Sequence, residues 1–139
     1  MTVKEYLSRA YRIDQRIDSK IEQVGSLRAL STKATATISD MPYSGSRNVH
    51  SMEDIVVKIA DLEHEINADI DKLLDLKHEI TGVIKSVQNP EYQELLELRY
   101  LCFYSWEKIA VRMDYDLRYL HKLHRKALEQ CKIFMPQNN

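Results

Sequence analysis

The chain has 139 residues, of which 44% are hydrophobic and 29% charged, and its formal net charge is −1 at pH 7. This length suits one ordinary domain, or a small domain with a helical extension. Three Gly and three Pro are too few for a turn-rich β fold, and no apolar run approaches the roughly 20 residues that span a bilayer. We therefore expect an all-α protein without a membrane segment.

The first predicted element is a long amphipathic helix that begins at Val3. Its apolar residues recur at alternating steps of three and four, which is the spacing of a coiled-coil seam. The members of this seam are Val3, Tyr6, Leu7, Ala10, Ile13, Ile17, Ile21, Val24 and Leu27. The pattern fades after Leu30, and residues 39–50 contain Pro, Gly and several other turn formers, which predicts a loop.

A second long helix is predicted to begin at Ser51, because Ser51 and Asp54 have the spacing of a capping box. The seam residues that we assign to oligomerisation are Ile55, Ile59, Leu62, Ile66, Leu73 and Ile80. Further apolar residues, Ile70, Leu74 and Ile84, widen this face beyond a simple seam.

Residues 1–88 are therefore predicted to form a long antiparallel, coiled-coil-like helical hairpin around the loop at 39–50. The widened face of the second helix has more apolar surface than one partner helix can cover. Self-association would bury the excess, and a dimer is the favoured form.

Three shorter helices are predicted from residue 89 onwards. Asn89 can cap the first of them, expected over 90–103, and Pro90 at its first position gives up only an N–H that would lack a partner. Ser105 is expected to cap the second. The inner face of that second helix is predicted to carry Ile109, Ala110 and Met113.

The last predicted helix follows a turn at 114–116 and is capped by Asp116. Its apolar positions, which return to the core every three or four residues, are Leu120, Leu123, Ala127 and Cys131. The side chains left facing outward are Arg118, Tyr119, His121, Lys122, Arg125 and Lys126. A helix with one apolar stripe and a basic outer face suits the phosphates and base edges of DNA.

Charge is divided unevenly along the chain. From Arg99 to the end, eight Lys and Arg residues stand against four Asp and Glu residues, a net charge of +4, so the remainder carries −5. Such asymmetry is typical of a nucleic-acid-binding part beside an acidic part.

The segment 95–128 resembles region 4 of the sigma-70 family. It carries L-x-x-R-Y at 96–100, S-W-E-K-I-A at 105–110 and R-K-A-L at 125–128. The whole chain is similar to the sigma-region-4-like late transcriptional regulators of Gram-positive phages, the ArpU and RinA type. The family usually places a Gly after the first helix of its helix-turn-helix, where this chain has Asp114.

This resemblance implies a C-terminal helix-turn-helix DNA-binding domain over 89–139, with double-stranded DNA as its ligand and RNA polymerase as a possible second partner. It also implies a regulator of phage or prophage late genes in the cytoplasm of a bacterial host. The residues implied to meet DNA are Arg118, Tyr119, Lys122 and Arg125, with Ser105 and Trp106 near the DNA backbone. Trp106 fits a second interpretation as well, an anchor between helices.

Two other classes of protein remain open. A small terminase-like DNA-packaging subunit also combines a helix-turn-helix with a helical oligomerisation hairpin, although such proteins typically place the DNA-binding module first. A coiled-coil interaction protein that binds no DNA would have the same heptad pattern, and its basic helix face would be a solvated surface.

Chemical motifs point away from an enzyme. Neither a P-loop nor G-x-G-x-x-G occurs, and no arrangement for nucleophilic catalysis is present, so no catalytic residue or cofactor is expected. The Asp-x-x-His pairs at 61–64 and 75–78 occupy heptad positions that face solvent, so no metal site is expected. Cys102 and Cys131 lack Cys-x-x-Cys spacing and are predicted to be reduced, packed thiols of a cytosolic protein.

Overall fold

The computed structural model describes the backbone of residues 1–40 and 45–136 and the side chains of residues 1–36 and 51–136. Every regular element in these ranges is an α-helix, which confirms the all-α fold class. The helices are α1 (Val3–Leu7), α2 (Arg9–Asp40), α3 (Gly45–Ser86), α4 (Pro90–Tyr100), α5 (Trp106–Met113) and α6 (Leu117–Lys132). None of these described helices has both the length and the apolar character that crossing a bilayer requires.

The loop predicted at 39–50 is shorter in the structure. Helix α2 continues through Asp40 and α3 already begins at Gly45, while residues 41–44 lie outside the described part of the chain. Ser51 therefore lies inside α3 and is not its N-cap. Each residue added to an existing helix gains a hydrogen bond, so a long helix can extend through residues of modest helix propensity.

The first predicted helix is interrupted near its start. Thr2 and Glu5 form a capping box at α1, in which each backbone N–H donates to the other side chain at 3.1 Å. The Ser8 hydroxyl donates to the Lys4 carbonyl at 2.6 Å. A hydroxyl that bonds back to the preceding turn often bends a helix, and here α1 ends before Ser8 and α2 begins at Arg9.

Two compact units make up the chain, and the smaller of them, unit 2, comprises Asp14–Lys72. Its described side chains that are buried are Ile17, Val24, Ile55, Leu62 and Asp69. The Asp69 carboxylate accepts a hydrogen bond from Lys20 Nζ at 2.7 Å. Because an unpaired buried charge costs several kcal/mol, this pair restricts how the two helix segments can slide past each other.

Several seam residues assigned to oligomerisation are used inside the chain. The buried ones are Ile55, Leu62 and Ile80, and the half-buried ones are Ile59, Ile66 and Leu73. The large apolar side chains that α3 exposes are Val56, Val57, Ile70 and Leu74. The buried three are covered by their own chain. Heptad spacing identifies a packing face without identifying its partner.

Unit 1 joins Met1–Ile13 to the chain from Leu73 onwards. One buried cluster in it consists of Tyr6, Leu7, Ala10, Ile80, Val83, Ile84, Val87, Leu96, Tyr100, Ala127 and Cys131. A second consists of Leu95, Leu98, Ile109, Leu120 and Leu123. Helices α4 and α6 contribute to both clusters, so the start of the chain covers a face of these two helices.

The structure therefore divides the chain elsewhere than at the predicted boundary between residues 88 and 89. Tyr6, Leu7 and Ala10 have the spacing of a coiled-coil seam, but the face that they form packs against α4 and α6 as well as α3. Apolar spacing along one helix carries no information on which distant helix will meet it.

The turn before α6 is closed by a residue in the left-handed region. Asp114 has φ 59° and ψ 48°. Its N–H donates to the Val111 carbonyl at 3.3 Å, and the Tyr115 N–H donates to the Ala110 carbonyl at 3.0 Å. These two bonds form a Schellman motif, which confirms the predicted turn at 114–116.

We expect Asp114→Gly to raise the free energy of unfolding by about 0.5–1 kcal/mol, because Gly adopts positive φ without a clash at Cβ. Asp114→Ala should lower it by about 1 kcal/mol, since Ala keeps the Cβ and tolerates the left-handed region less well than Asp does. Urea unfolding of the two variants beside the unaltered chain measures both effects. Equal stability of the Gly and Ala variants would contradict the strained geometry.

Candidate nucleic-acid interface

Side-chain caps set the start of each of the three C-terminal helices. Asn89 Oδ1 accepts from the N–H groups of Glu91 and Tyr92 at 2.9 and 3.4 Å. Ser105 Oγ accepts from the Lys108 N–H at 3.2 Å, and Asp116 Oδ1 from the Tyr119 N–H at 2.7 Å. All three predicted caps are confirmed. Helix α4 ends at Tyr100 and not at 103.

The outer face of α6 consists of exposed, mostly basic side chains. All six residues predicted to face outward are exposed: Arg118, Tyr119, His121, Lys122, Arg125 and Lys126. The four predicted core residues, Leu120, Leu123, Ala127 and Cys131, are buried on the opposite side. At about 100° per residue, Arg118, Lys122 and Arg125 lie within about 60° of one another, so they form one stripe along the helix.

The positive side chains of this stripe form no ion pair with another residue in the described part of the protein. The ion pairs that the structure shows there are Arg9–Glu79, Lys20–Asp69 and Arg28–Glu63. Arg118, Lys122 and Arg125 take part in none of them. Exposed cations without a carboxylate partner are available to bind phosphates.

Trp106 is half-buried and lies between α4 and α6. Its ring centroid is 4.8 Å from that of His121 and 4.6 Å from that of His124, and the Arg99 guanidinium lies over it at 4.5 Å. These contacts favour the interpretation of Trp106 as an anchor between helices. Ser105, beside it, is exposed at the start of α5.

Tyr119 is exposed, but its ring packs against one neighbouring side chain. Its ring centroid is 4.7 Å from that of Tyr115, in the turn before α6. The Tyr115 hydroxyl in turn donates to the Glu91 carboxylate at the start of α4. The turn is thus tied to α4, and Tyr119 is positioned by its contact with Tyr115.

His124 is a buried member of α6 whose role the sequence pattern did not identify. It is 6% exposed, and its Nε2 lies 2.6 Å from the Tyr100 hydroxyl. Burial, together with the charges of Lys4, Arg99 and His121, lowers the pKa of His124 to about 4. Burial also raises the pKa of Tyr100 to about 12. At neutral pH, therefore, a protonated phenol and a neutral imidazole share this hydrogen bond, and the imidazole tautomer sets which of them donates.

We expect the stability of the protein to fall by up to about 3 kcal/mol through His124 as the pH drops from about 6.5 towards 4. In this range the unfolded chain binds a proton at His124 and the folded chain does not, so the contribution is complete above about pH 6.5. His124→Gln cannot gain the proton. The difference in free energy of unfolding between the unaltered chain and this variant should therefore shrink across that range. A difference that stays constant with pH would exclude the effect.

Two cations that the sequence did not single out lie near Ser105. Lys4 and Arg99 line a cavity of about 260 Å³ together with Ser8 and Ser105. Arg99 belongs to the L-x-x-R-Y motif and could have been suspected from it. Lys4 is distant along the chain, and no local pattern connects it with this cavity.

The cysteines and the Asp-x-x-His pairs do not form a site. Cys131 is buried, as predicted, and its burial raises the pKa of the thiol to about 11. Cys102 is exposed, so its predicted packing is wrong. Within the described residues, no three His, Cys, Asp or Glu side chains come together in a way that could hold a metal ion.

Comparisons of the chain with protein-family models, with curated proteins and with solved structures gave no match. Its function is therefore inferred from α4, α5 and α6 and the side chains around them.

Proposed function

We propose that the protein is a sequence-specific DNA-binding regulator of transcription, without enzymatic activity, that reads duplex DNA with α6. In this proposal α5 and α6 form a helix-turn-helix of the sigma region 4 type. The observation that carries the proposal is the exposed stripe of Arg118, Lys122 and Arg125, which has no ion-pair partner among the described residues. The resemblance to ArpU and RinA type regulators supports phage or prophage late genes in a bacterial cytoplasm as the setting.

The dimensions of α6 suit the major groove of DNA. Its 16 residues give a length of about 24 Å, and a helix about 10–12 Å in diameter enters a groove about 12 Å wide. Arg118 and Arg125 can each donate two hydrogen bonds to guanine or to phosphate, while Lys122 acts as a point charge. The N-cap of α5 is also suited to lie near the DNA backbone.

The long helices are proposed to form an antiparallel hairpin that supports self-association. Arg28 pairs with Glu63, whereas Lys20, earlier in α2, pairs with Asp69, later in α3. Exposed Val56 and Ile70 lie two heptads apart on α3, which suits contact with a second copy. A dimer would present two α6 helices to a repeated or palindromic site. RNA polymerase is proposed as a further partner on the resemblance to region 4.

Selecting duplexes from a random pool with the whole chain tests this function. We expect a shared sequence to be enriched, with affinity that falls steeply as salt is raised, because neutralised phosphates release counterions. For a dimer, half-sites should be spaced by about 10–10.5 base pairs or a multiple of it. Retention of no duplex at low salt would instead favour an interaction protein that does not bind DNA.

A further inference from the structure

We propose that the cavity beside the start of α5 is a phosphate-binding pocket, through which α1 holds the backbone of the DNA that α6 reads. The inference rests on the proposed function, because its ligand is a phosphate of the same duplex. The cavity measures about 260 Å³. Lys4 and Ser8 line it from the start of the chain, and Arg99 and Ser105 from the other side. All four residues belong to unit 1.

Two cations point to an anion as the ligand. Neither Lys4 nor Arg99 forms an ion pair with another described residue. Arg99 is fixed in place, because its Nη1 donates to the Tyr104 carbonyl at 2.9 Å and its guanidinium lies over the Trp106 ring. A guanidinium that is already ordered loses little conformational freedom when it binds phosphate.

The first turn of α5, which follows Ser105 directly, adds backbone donors next to the cavity lining. The carbonyl and side chain of Ser105 accept from the N–H groups of Ile109 and Lys108. The N–H groups of Trp106 and Glu107 lie in the first turn of α5 and so have no acceptor within the helix. They carry the positive end of the helix dipole, which favours a negative ligand.

The charged side chains that line the cavity, Lys4 and Arg99, are both positive. Besides burial, the charges of Lys4, Arg99 and His121 lower the pKa of His124, so the charges of both cavity cations act on the same imidazole. None of the residues that line the cavity is acidic. Like charges this close repel one another, and a bound phosphate would relieve the repulsion.

Ser105 and Trp106 link the cavity to α6. Ser105 precedes Trp106, and the Trp106 ring contacts that of His121, at the flank of the α6 stripe. A duplex whose major groove receives α6 would therefore bring one of its backbones towards the cavity. A contact between the DNA backbone and the cavity would mean that Lys4 and Ser8 help to bind DNA, in addition to the packing of α1 against the core.

Comparing Lys4→Gln with Lys85→Gln tests the pocket. Both lysines are exposed and lie in unit 1, so neither change should disturb the core, which circular dichroism would check. We expect Lys4→Gln to weaken binding of the selected duplex by about three- to tenfold and to reduce its salt slope by about 1, with unchanged sequence preference. Lys85→Gln should bind as the unaltered chain does. Ethylation of single DNA phosphates should interfere with binding of Lys4→Gln at one or two fewer positions than with binding of the unaltered chain.

Failure of the pocket is distinguishable from failure of the proposed function. If Lys4→Gln keeps the affinity, salt slope and interference pattern of Lys85→Gln, the pocket does not hold DNA, although α6 can still be the reader. If the unaltered chain binds no duplex, both proposals are wrong. A further outcome is that inorganic phosphate shifts the amide resonances of Trp106 and Glu107 while Lys4→Gln leaves duplex binding intact. The cavity would then be a site for free anions, and its assignment to the DNA backbone would be overturned.

Discussion

Replacing Arg118 and Lys122 together by Ala is expected to lower the affinity for the selected duplex at least about 100-fold. Both side chains lie on the α6 stripe, where each would meet a base edge or a phosphate. A lost Arg contact to a base costs about 1–3 kcal/mol, and each lost phosphate contact reduces the salt slope by about 1. Fluorescence anisotropy at several salt concentrations measures the affinity and the slope together.

A matched double variant separates this effect from a general loss of positive charge. Lys58 and Lys72 are exposed on α3 in unit 2, and Lys58→Ala with Lys72→Ala removes the same number of charges. That control should bind within about twofold of the unaltered chain, and both double variants should retain full helicity because only exposed residues change. Equal affinities of the two double variants for the duplex would exclude α6 as the helix that reads the DNA sequence.

Leu7→Ala is expected to destabilise unit 1 by about 2–5 kcal/mol, because the change leaves a cavity in a closely packed core. Leu7 is fully buried and belongs to the same cluster as Leu96, Tyr100 and Ala127, which lie on α4 and α6. A loss of this size is a large part of the 5–15 kcal/mol typical of a domain. Thermal unfolding followed by circular dichroism measures it, and duplex binding should disappear at the temperature where unit 1 unfolds.

Leu30→Ala is the control for this substitution. Leu30 is 51% exposed in α2 and lies in unit 2, so the same change there should alter the free energy of unfolding by about 0.5 kcal/mol or less.

The shared core also predicts that a fragment of residues 89–139 alone is largely unfolded, because it lacks the cover from α1 and the end of α3. A cooperatively folded fragment, or a Leu7→Ala variant as stable as Leu30→Ala, would contradict the shared core.

The features that the sequence predicted correctly are local. Each helix cap depends on hydrogen bonds from N–H groups two or three positions further along the chain. The three caps are Asn89, Ser105 and Asp116, and each helix begins at the residue after its cap. The outer face of α6 follows equally from helical periodicity, because burial of Leu120 and Leu123 fixes which side chains face outward.

The features that the sequence did not predict depend on distant contacts. Asp69 is charged, so the sequence alone predicts that it faces solvent. In the structure it is buried among the apolar residues of α3, because Lys20 pairs with it. Leu7 has the spacing of a hairpin residue, yet part of its cluster comes from α4 and α6. Lys4 and Arg99 line one cavity only because α1 packs near α4. Periodicity within one helix does not predict which other helix packs against it.

The joining of the first thirteen residues to the chain from Leu73 onwards sets an order of events during synthesis. At about 5–20 residues per second, α1 leaves the ribosome several seconds before α6 exists. Segments of α2 and α3 can pair in the meantime, whereas Leu7 cannot reach its full set of contacts until α4 and α6 have been translated. The surface that would bind DNA is thus completed only after α6 has been translated, and a nascent chain that stops before α6 lacks it.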